Sequence, residues 1–219
     1  MKVERKSLVE ASVETLRVEI VRGRFRPGTR LTEMKLAEEM GIGRSTVRAA
    51  LLELEKDDLV VRSPYSAWAV PELTARVIWE VYTLRGALEG LAARILASQL
   101  DTGKRKALLD AYQRLEAAEG GSTDRVEADL DFHRIIVQLA DHERLTRQYE
   151  ILSHKIEWVY RWSEEQSPRR IDLPDWHKPI LDAILDTDPE RAERAMRALT
   201  DASLTADLVD LEGKQTKRA

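Results

Sequence analysis

The apolar positions of this chain fall into two patterns. In the first third, Leu8, Val9, Val13, Leu16, Ile20 and Val21 recur at helical spacing. Gly23 then ends that helix. Leu36, Ala37 and Met40 mark the buried side of a short helix that starts at Thr32, a plausible N-cap, and stops at Gly41. Val47, Leu51 and Leu54 predict a third helix over 44–56. Leu59-Val60-Val61 and Ala67-Trp68-Ala69-Val70 read as two short strands around a turn. Three helices and a hairpin in the first 70 residues have the layout of a winged helix-turn-helix.

Beyond Pro71 the pattern is helical throughout. Six helices are predicted, near 74–99, 104–119, 123–140, 142–166, 173–187 and 189–211. Their apolar stripes include Val81/Leu84/Leu88/Leu91, Leu130/Ile136/Leu139 and Ile180/Leu181/Ile184/Leu185. Short connections favour antiparallel neighbours and hence a bundle. The expected fold is mainly α: an N-terminal winged helix-turn-helix over 1–72 and an antiparallel six-helix bundle over 73–212, with a frayed polar tail over 213–219.

Composition narrows the class. Of 219 residues, 34 % are charged and 43 % hydrophobic, the balance of a soluble globular protein. No apolar run reaches the ~18 residues of a membrane span, and the N-terminus lacks a signal peptide's apolar stretch. The absence of cysteine excludes disulfides, cysteine-ligated zinc and thiol catalysis, and fits a reducing cytoplasm. Net charge is −4, but it is unevenly spread. Residues 1–70 carry 13 Lys and Arg against 11 Asp and Glu, whereas residues 71–219 carry 22 against 28. A positive segment on an acidic body suits an end that meets DNA.

The segment LAEEMGIGRSTVRAALLELEKDDLVVR carries the most specific signal. Gly41-Ile42-Gly43 supplies a tight turn with an apolar plug between two helices. Glycine reaches the positive φ that such a turn needs. The second helix then opens on Arg44, Ser45, Thr46 and Arg48, all hydrogen-bond donors, at the end that faces the major groove in this motif. Arginine reads guanine, and serine or threonine bonds phosphate or base. The plain alternative is a surface helix with two arginines.

At these residues the sequence resembles the GntR family of transcription regulators. Pro27, Gly28, Leu31, Leu36, Ala37, Glu38, Gly41, Arg44, Val47, Arg48, Ala50, Leu51, Leu54 and Leu59 match the family's pattern. Gly43 stands where a serine is common, Asp58 where a glycine precedes the strand, and Ser66-Ala67 where the wing has a glycine. The helical part resembles the FadR-like branch, whose ligand-binding domain is called FCD. VYTLRGALEGLAARILA, DLDFHRIIVQLADHERL and WHKPILDAILDTDPERAERAMRAL carry that resemblance, and six helices suit its shorter, VanR-type version. It implies contacts to DNA from Arg44, Ser45, Thr46 and Arg48, a double-stranded operator, and a small carboxylate effector.

The helical part also carries its own chemistry. Asp129 and His133, four apart, share a helix face with Phe132 and Ile136, and His177 sits on the stripe of Ile180, Leu181 and Ile184. A carboxylate and two imidazoles facing a bundle interior can hold a divalent metal such as zinc, nickel or manganese; they can equally be hydrogen-bonded core residues. Metal-binding relatives have a further histidine after the AMR motif. Here that position is Leu199, so weak or absent metal is expected. Arg85 is a second polar residue placed on the inward stripe. It needs an anion, either an effector carboxylate or an internal partner such as Asp129 or Glu89. Trp158, Trp162 and Trp176 can wall an apolar ligand or pack the core.

The resulting expectation is a homodimer, joined through its helical part with Trp79 as an interface candidate. Binding of a metabolite by Arg85, Asp129, His133 and His177 is expected to alter operator affinity through a shift at Pro71-Glu72. The competing expectations are a metal-dependent enzyme built on Asp129, His133 and His177, and a constitutive DNA-binding protein with a vestigial pocket.

Overall fold

The computed structural model describes residues 7–63, 67–119, 124–168 and 172–216. The chain divides into two compact units, Met1–Leu73 and Thr74–Ala219.

The first unit contains α1 (Leu8–Val21), β1 (Arg30–Leu31), α2 (Glu33–Met40), α3 (Arg44–Lys56), β2 (Val61–Ser63) and β3 (Ala67–Ala69). Ser7 caps α1 in a reciprocal box with Glu10. Thr32 caps α2 by accepting from the Lys35 amide, and Gly41 ends α2 at φ +65. Leu16, Ile20, Val47, Leu51, Leu54 and Val60 are buried and seat α1 across α3. The sheet order is β1-β3-β2, antiparallel, with Arg30 opposite Ala69 and Arg62 opposite Trp68. Strand β1 was not anticipated, because two residues leave no alternation to detect. The Pro27-Gly28 turn brings it to β3: the Gly28 amide donates to the Val70 carbonyl, and the Val70 amide to that of Thr29. The tip of the wing, 64–66, including the Ser66 that stands for glycine, lies outside the described residues.

The second unit contains α4 (Ala75–Ser98), α5 (Thr102–Glu119), α6 (Arg125–Leu139), α7 (Glu143–Gln166), α8 (Leu173–Leu185) and α9 (Pro189–Thr216). Asp101, Asp124, Asp172 and Asp188 each accept a backbone amide in the first turn of the following helix. That is why these short connections break where they do. Helix α9 runs through Gly213, where the sequence suggested fraying. One glycine costs a helix only ~1 kcal/mol and is no stop by itself. Helix α4 is the centre of the bundle, packing on α6, α7 and α8 and most extensively on α9.

The stripe assigned to α4 needs correction. Leu84 and Leu91 are 50 % and 41 % exposed, and Leu88 is half-buried. The buried face is instead Ile78, Val81, Tyr82, Arg85, Glu89, Ala92, Ala93 and Leu96. Both sets have helical period, and hydropathy alone favours the leucines. The interior takes Arg85 and Glu89 because each neutralises the other.

Gly86 and Gly90 let α9 approach that face. A Cβ at Gly86 would lie 2.6 Å from Thr200 Oγ1, whereas one at Gly90 meets only the Arg197 and Glu193 side chains, at 3.2 Å or more. Gly86→Ala is therefore expected to lower stability by about 1–3 kcal/mol through overpacking. Gly90→Ala is expected to raise it by up to about 1 kcal/mol, since Arg197 yields and helix propensity improves. Urea unfolding of the two variants checks this pair of opposite signs.

Candidate functional site

Two places concentrate chemistry, one in each unit. In the first unit, the turn at Gly41 presents the start of α3. Arg44, Ser45 and Arg48 are exposed and Thr46 is partly so, while Val47, Ala50 and Leu51 hold the other face of the helix in the core. Gly43 is the N-cap and supplies no side-chain hydrogen bond. A groove of about 630 Å³ lies beside these residues, lined by Arg30, Glu33, Met34, Arg44, Arg48, Arg62 and Trp68 among others. Four guanidinium groups and one carboxylate give it positive charge. Arg48 does not point freely into this groove. Its Nε and Nη2 both donate to Glu33 at 2.8 Å, and Trp68 Nε1 donates to the same carboxylate at 3.3 Å. Arg48, first, and Trp68 hold the Glu33 carboxyl below its ordinary range against the opposing effect of burial. Arg62 stacks over Trp68 with its guanidinium carbon 4.8 Å from the ring centroid.

Arg30, Glu33, Arg62 and Trp68 were not foreseen. Arg30 and Arg62 sit on strands whose pairing brings them beside α3, and nothing local in the sequence signals that. Glu33 carried a weak signal, as an acidic residue in the first turn of a helix, where it reads as a dipole partner.

In the second unit, three helices converge on a buried polar cluster. Helix α4 contributes Arg85 and Glu89, α6 contributes Asp129 and His133, and α8 contributes His177; none is more than 3 % exposed. His177 Nε2 is 3.0 Å from Asp129 Oδ1 and 3.0 Å from His133 Nε2. Arg85 Nε donates to Glu89 Oε1 at 2.9 Å, and Arg85 Nη2 is 3.7 Å from Asp129 Oδ2. The internal ion pair that the sequence allowed for Arg85 is thus present, with Glu89 as the nearer partner. Burial pushes the Glu89 and Asp129 carboxyls up, but Arg85 with His133, and His177 with His133 and Arg85, respectively outweigh it and hold both below the usual range. Burial lowers His133 despite Glu89. The Tyr149 hydroxyl also bonds Glu89 and is held well above its ordinary range by burial and by that charge.

The imidazoles take their orientation from their outer contacts. His177 Nδ1 lies 2.7 Å from the Leu173 carbonyl, so it carries the proton and donates. His133 Nδ1 lies 2.7 Å from Glu89 Oε2, an ion-pair contact in which neither atom reaches hydrogen-bond geometry. Both Nε2 atoms then face one another beside the Asp129 carboxylate. Two bare lone pairs at 3.0 Å repel unless a proton or a cation sits between them. Asp129, His133 and His177 bring one ligand atom each to within 4.8 Å of the others. An outer backbone carbonyl on His177 and an outer carboxylate beside His133 are the kind of support metal-bound histidines have. The donor set therefore fits a divalent cation.

A cavity of about 20 Å³, room for about one water, adjoins this cluster. Tyr82, Arg85, Asp129, Tyr160, Ser163, Leu199 and Ser203 are among its lining residues. Leu199 thus faces the same space as Asp129. Arg85 Nη2 and Tyr160 Oη are buried there without a hydrogen-bond partner. Tyr82 and Ser163 donate to the buried Asp207 carboxylate. Trp158 and Trp162 are core residues outside the cavity lining, and Trp176 is partly exposed. The tyrosines were missed as site residues because each matches an ordinary position on its own helix, and Glu89 was foreseen only as a partner for Arg85.

The description "Bacterial regulatory proteins, gntR family" matches residues 8–70, and the FCD domain matches residues 80–202. The chain belongs to the GntR family. It is a DNA-binding transcriptional regulator and not an enzyme, so the enzyme reading of the triad falls. Among relatives of this GntR chain, a probable D-xylose utilization operon transcriptional repressor from Paenarthrobacter nicotinovorans is 30 % identical over 182 residues, covering 82 % of this chain and 79 % of the relative. The Nta operon transcriptional regulator of Aminobacter aminovorans is 30 % identical over 147 residues, covering 66 % and 69 %. E. coli McbR/YncC shares the fold at a TM-score of 0.74 and 21 % identity, covering 93 % of this chain and 98 % of that one. Among the described residues no helix is long and apolar enough to cross a membrane.

Arg85 has a structural duty whatever else it does. Arg85→Ala leaves Glu89 and Asp129 buried without their cation, so a loss of about 3–5 kcal/mol is expected in urea unfolding. Arg85→Met combined with Glu89→Gln is expected to recover part of it, because the Glu89 charge goes with its partner while Asp129 keeps His177 at 3.0 Å.

Proposed function

We propose that this regulator senses a small carboxylate effector in the helical unit, and that effector binding there changes operator affinity. The observation that carries the reading is Arg85 Nη2, a fully buried guanidinium donor without a hydrogen bond, facing the cavity that Asp129 and Leu199 also line. An effector carboxylate supplies the acceptor that this donor lacks. The cavity's small volume means that Tyr82, Tyr160 or Leu199 must move to admit an organic acid. Such a ligand therefore couples to the packing of α4, α7 and α9.

Asp129, His133 and His177 would hold a divalent cation such as zinc, nickel or manganese, and when bound it supplies a Lewis acid for effector oxygens. Three protein ligands and a leucine at the fourth position support weak retention, with the effector completing the shell. Glu89 and the Leu173 carbonyl keep both Nε2 atoms free for that purpose.

DNA reading falls to Arg44, Ser45, Thr46 and Arg48, with a near-palindromic operator bound by a homodimer in the cytoplasm. The unit boundaries near residue 72 separate the two tasks. The exposed Leu84 and Leu91, with half-buried Leu88 between them, form an apolar stripe on α4 that a second copy would cover.

Arg44→Ala is expected to weaken binding to a duplex selected by the native protein by about 1–3 kcal/mol while leaving the dimer intact. Leu84→Glu with Leu91→Glu is expected to yield a monomer that binds this duplex poorly. Fluorescence anisotropy at fixed salt and sedimentation velocity read the two effects; undiminished affinity in Arg44→Ala would overturn the assignment of α3.

The metal proposal has its own check. Leu199→His is expected to raise nickel and zinc content after dialysis well above that of the native protein, measured by elemental analysis. No gain would show that residue 199 does not complete the triad, and a full equivalent tightly held by the native protein would overturn weak retention.

A further inference from the structure

We infer that Glu33 is a positioning residue for DNA recognition, holding Arg48 so that it reads a base edge instead of making a mobile phosphate contact. The inference rests on the proposed role of α3 as the DNA-reading helix, and it concerns a residue at the start of α2.

The geometry carries it. A guanidinium has five N–H groups in a rigid plane. Arg48 uses Nε–H and one Nη2–H on Glu33, both at 2.8 Å. That is the side edge of the fork. The other Nη2–H and both Nη1–H groups remain, and that Nη2–H with one Nη1–H forms the end edge that pairs with guanine O6 and N7. Glu33 therefore leaves the reading edge open and fixes the plane in which it lies. The Arg48 side chain is 60 % exposed and would otherwise sample many rotamers, but the Glu33 side chain is only 15 % exposed. Glu33 is itself held by Trp68 Nε1 from β3. Trp68 is in turn buried and covered by Arg62. The order runs from the sheet to α2 and from α2 to the reading helix.

A carboxylate in a groove lined by Arg30, Arg44 and Arg62 is also unfavourable for plain phosphate attraction. It subtracts a positive charge from the face that must meet a polyanion. Electrostatics alone would select a neutral or basic residue there. Glu33 makes sense where sequence discrimination is worth more than gross affinity, since restraint of a bidentate donor penalises the wrong base.

The test compares two duplexes at fixed salt: one selected by the native full-length protein from a random-sequence pool, and a scrambled version of it. Glu33→Gln is expected to lower the selected-to-scrambled affinity ratio about tenfold. Binding to the scrambled duplex should hold or strengthen, with a steeper salt dependence. Arg48→Lys keeps the charge, loses the planar fork and sits on an exposed position. It is expected to give the same fall in ratio, and the double variant no further fall. An unchanged ratio in Glu33→Gln, at unchanged thermal stability, overturns the inference. So does a parallel rise in both affinities, which would make Glu33 a brake on binding. If Glu33→Gln fails to fold, the ratio in Arg48→Lys decides alone. Arg48→Ala separates the two levels of argument. If it leaves both affinities untouched, the assignment of α3 itself fails; if it weakens the selected duplex while Glu33→Gln and Arg48→Lys keep the ratio, only the role of Glu33 falls.

Discussion

The interior of the helical unit depends on the pairing of Arg85 with Glu89. Neither charge would survive there alone, because transfer of an isolated ion from water costs several kcal/mol even after relaxation. Together they permit more than neutrality. Glu89 uses Oε1 for Arg85 and presents Oε2 to His133 Nδ1. That contact sets the imidazole so that Nε2 looks toward His177 and Asp129. Arg85 in turn stands 3.7 Å from Asp129 and helps keep it ionised. The cluster sets two carboxylates against one guanidinium, with two imidazoles between them. Buried ion pairs rarely improve on hydrophobic residues of the same size as a source of stability. A buried set that leaves one donor unmet and two imidazole nitrogens opposed is better explained as a site than as a staple.

That same pairing explains where the sequence was readable and where it was not. The helix-turn-helix was legible because its determinants are local. Thr32 as a cap, Gly41 at positive φ and the spacing of Val47, Leu51 and Leu54 each act within a few residues. Asp129, His133 and His177 were legible as a group because helical spacing put all three on inward faces. The face of α4 was half-read: Val81 and Arg85 are buried as expected, whereas Leu84 and Leu91 are exposed. A stripe of leucines is a stronger hydropathy signal than one containing Arg85 and Glu89, and only their mutual neutralisation makes the second stripe the buried one. The groove beside α3 was half-read. Arg44 and Arg48 lie on the element that defines the motif, whereas Arg30, Glu33, Arg62 and Trp68 reach it through sheet register and an i to i+15 ion pair, which no window on the sequence contains.

The departures from the family's pattern show backbone geometry outlasting the residue that usually supplies it. Asp58, where the pattern has glycine, still takes φ +53. Left-handed backbone costs a residue with a Cβ about 1–2 kcal/mol, least for Asp and Asn. The turn between α3 and β2 is therefore imposed by the burial of Leu54, Leu59 and Val60 on either side of it, and the local residue complies. Gly43 is the converse case. It adopts the extended cap conformation, φ −69 and ψ 144, without offering a hydroxyl to the helix. The amides at the start of α3 thereby lose a competitor for their hydrogen bonds.

Leu199 applies the same reasoning to the sensing site. An apolar residue at a position lining the cavity with Asp129 removes a ligand without removing the charge that calls for one. Its carboxylates remain, its histidines still face Glu89 and the Leu173 carbonyl, and the guanidinium remains short of an acceptor. A cation held by three ligands needs further oxygen, and Arg85 needs an anion. Under the proposed function, one small molecule bearing a carboxylate would answer both demands, so metal and effector would be mutually dependent in a way that a fourth imidazole relaxes. Binding of either would then raise affinity for the other by the same factor. On the proposed function, leucine at residue 199 would be what ties occupancy of the metal site to the effector.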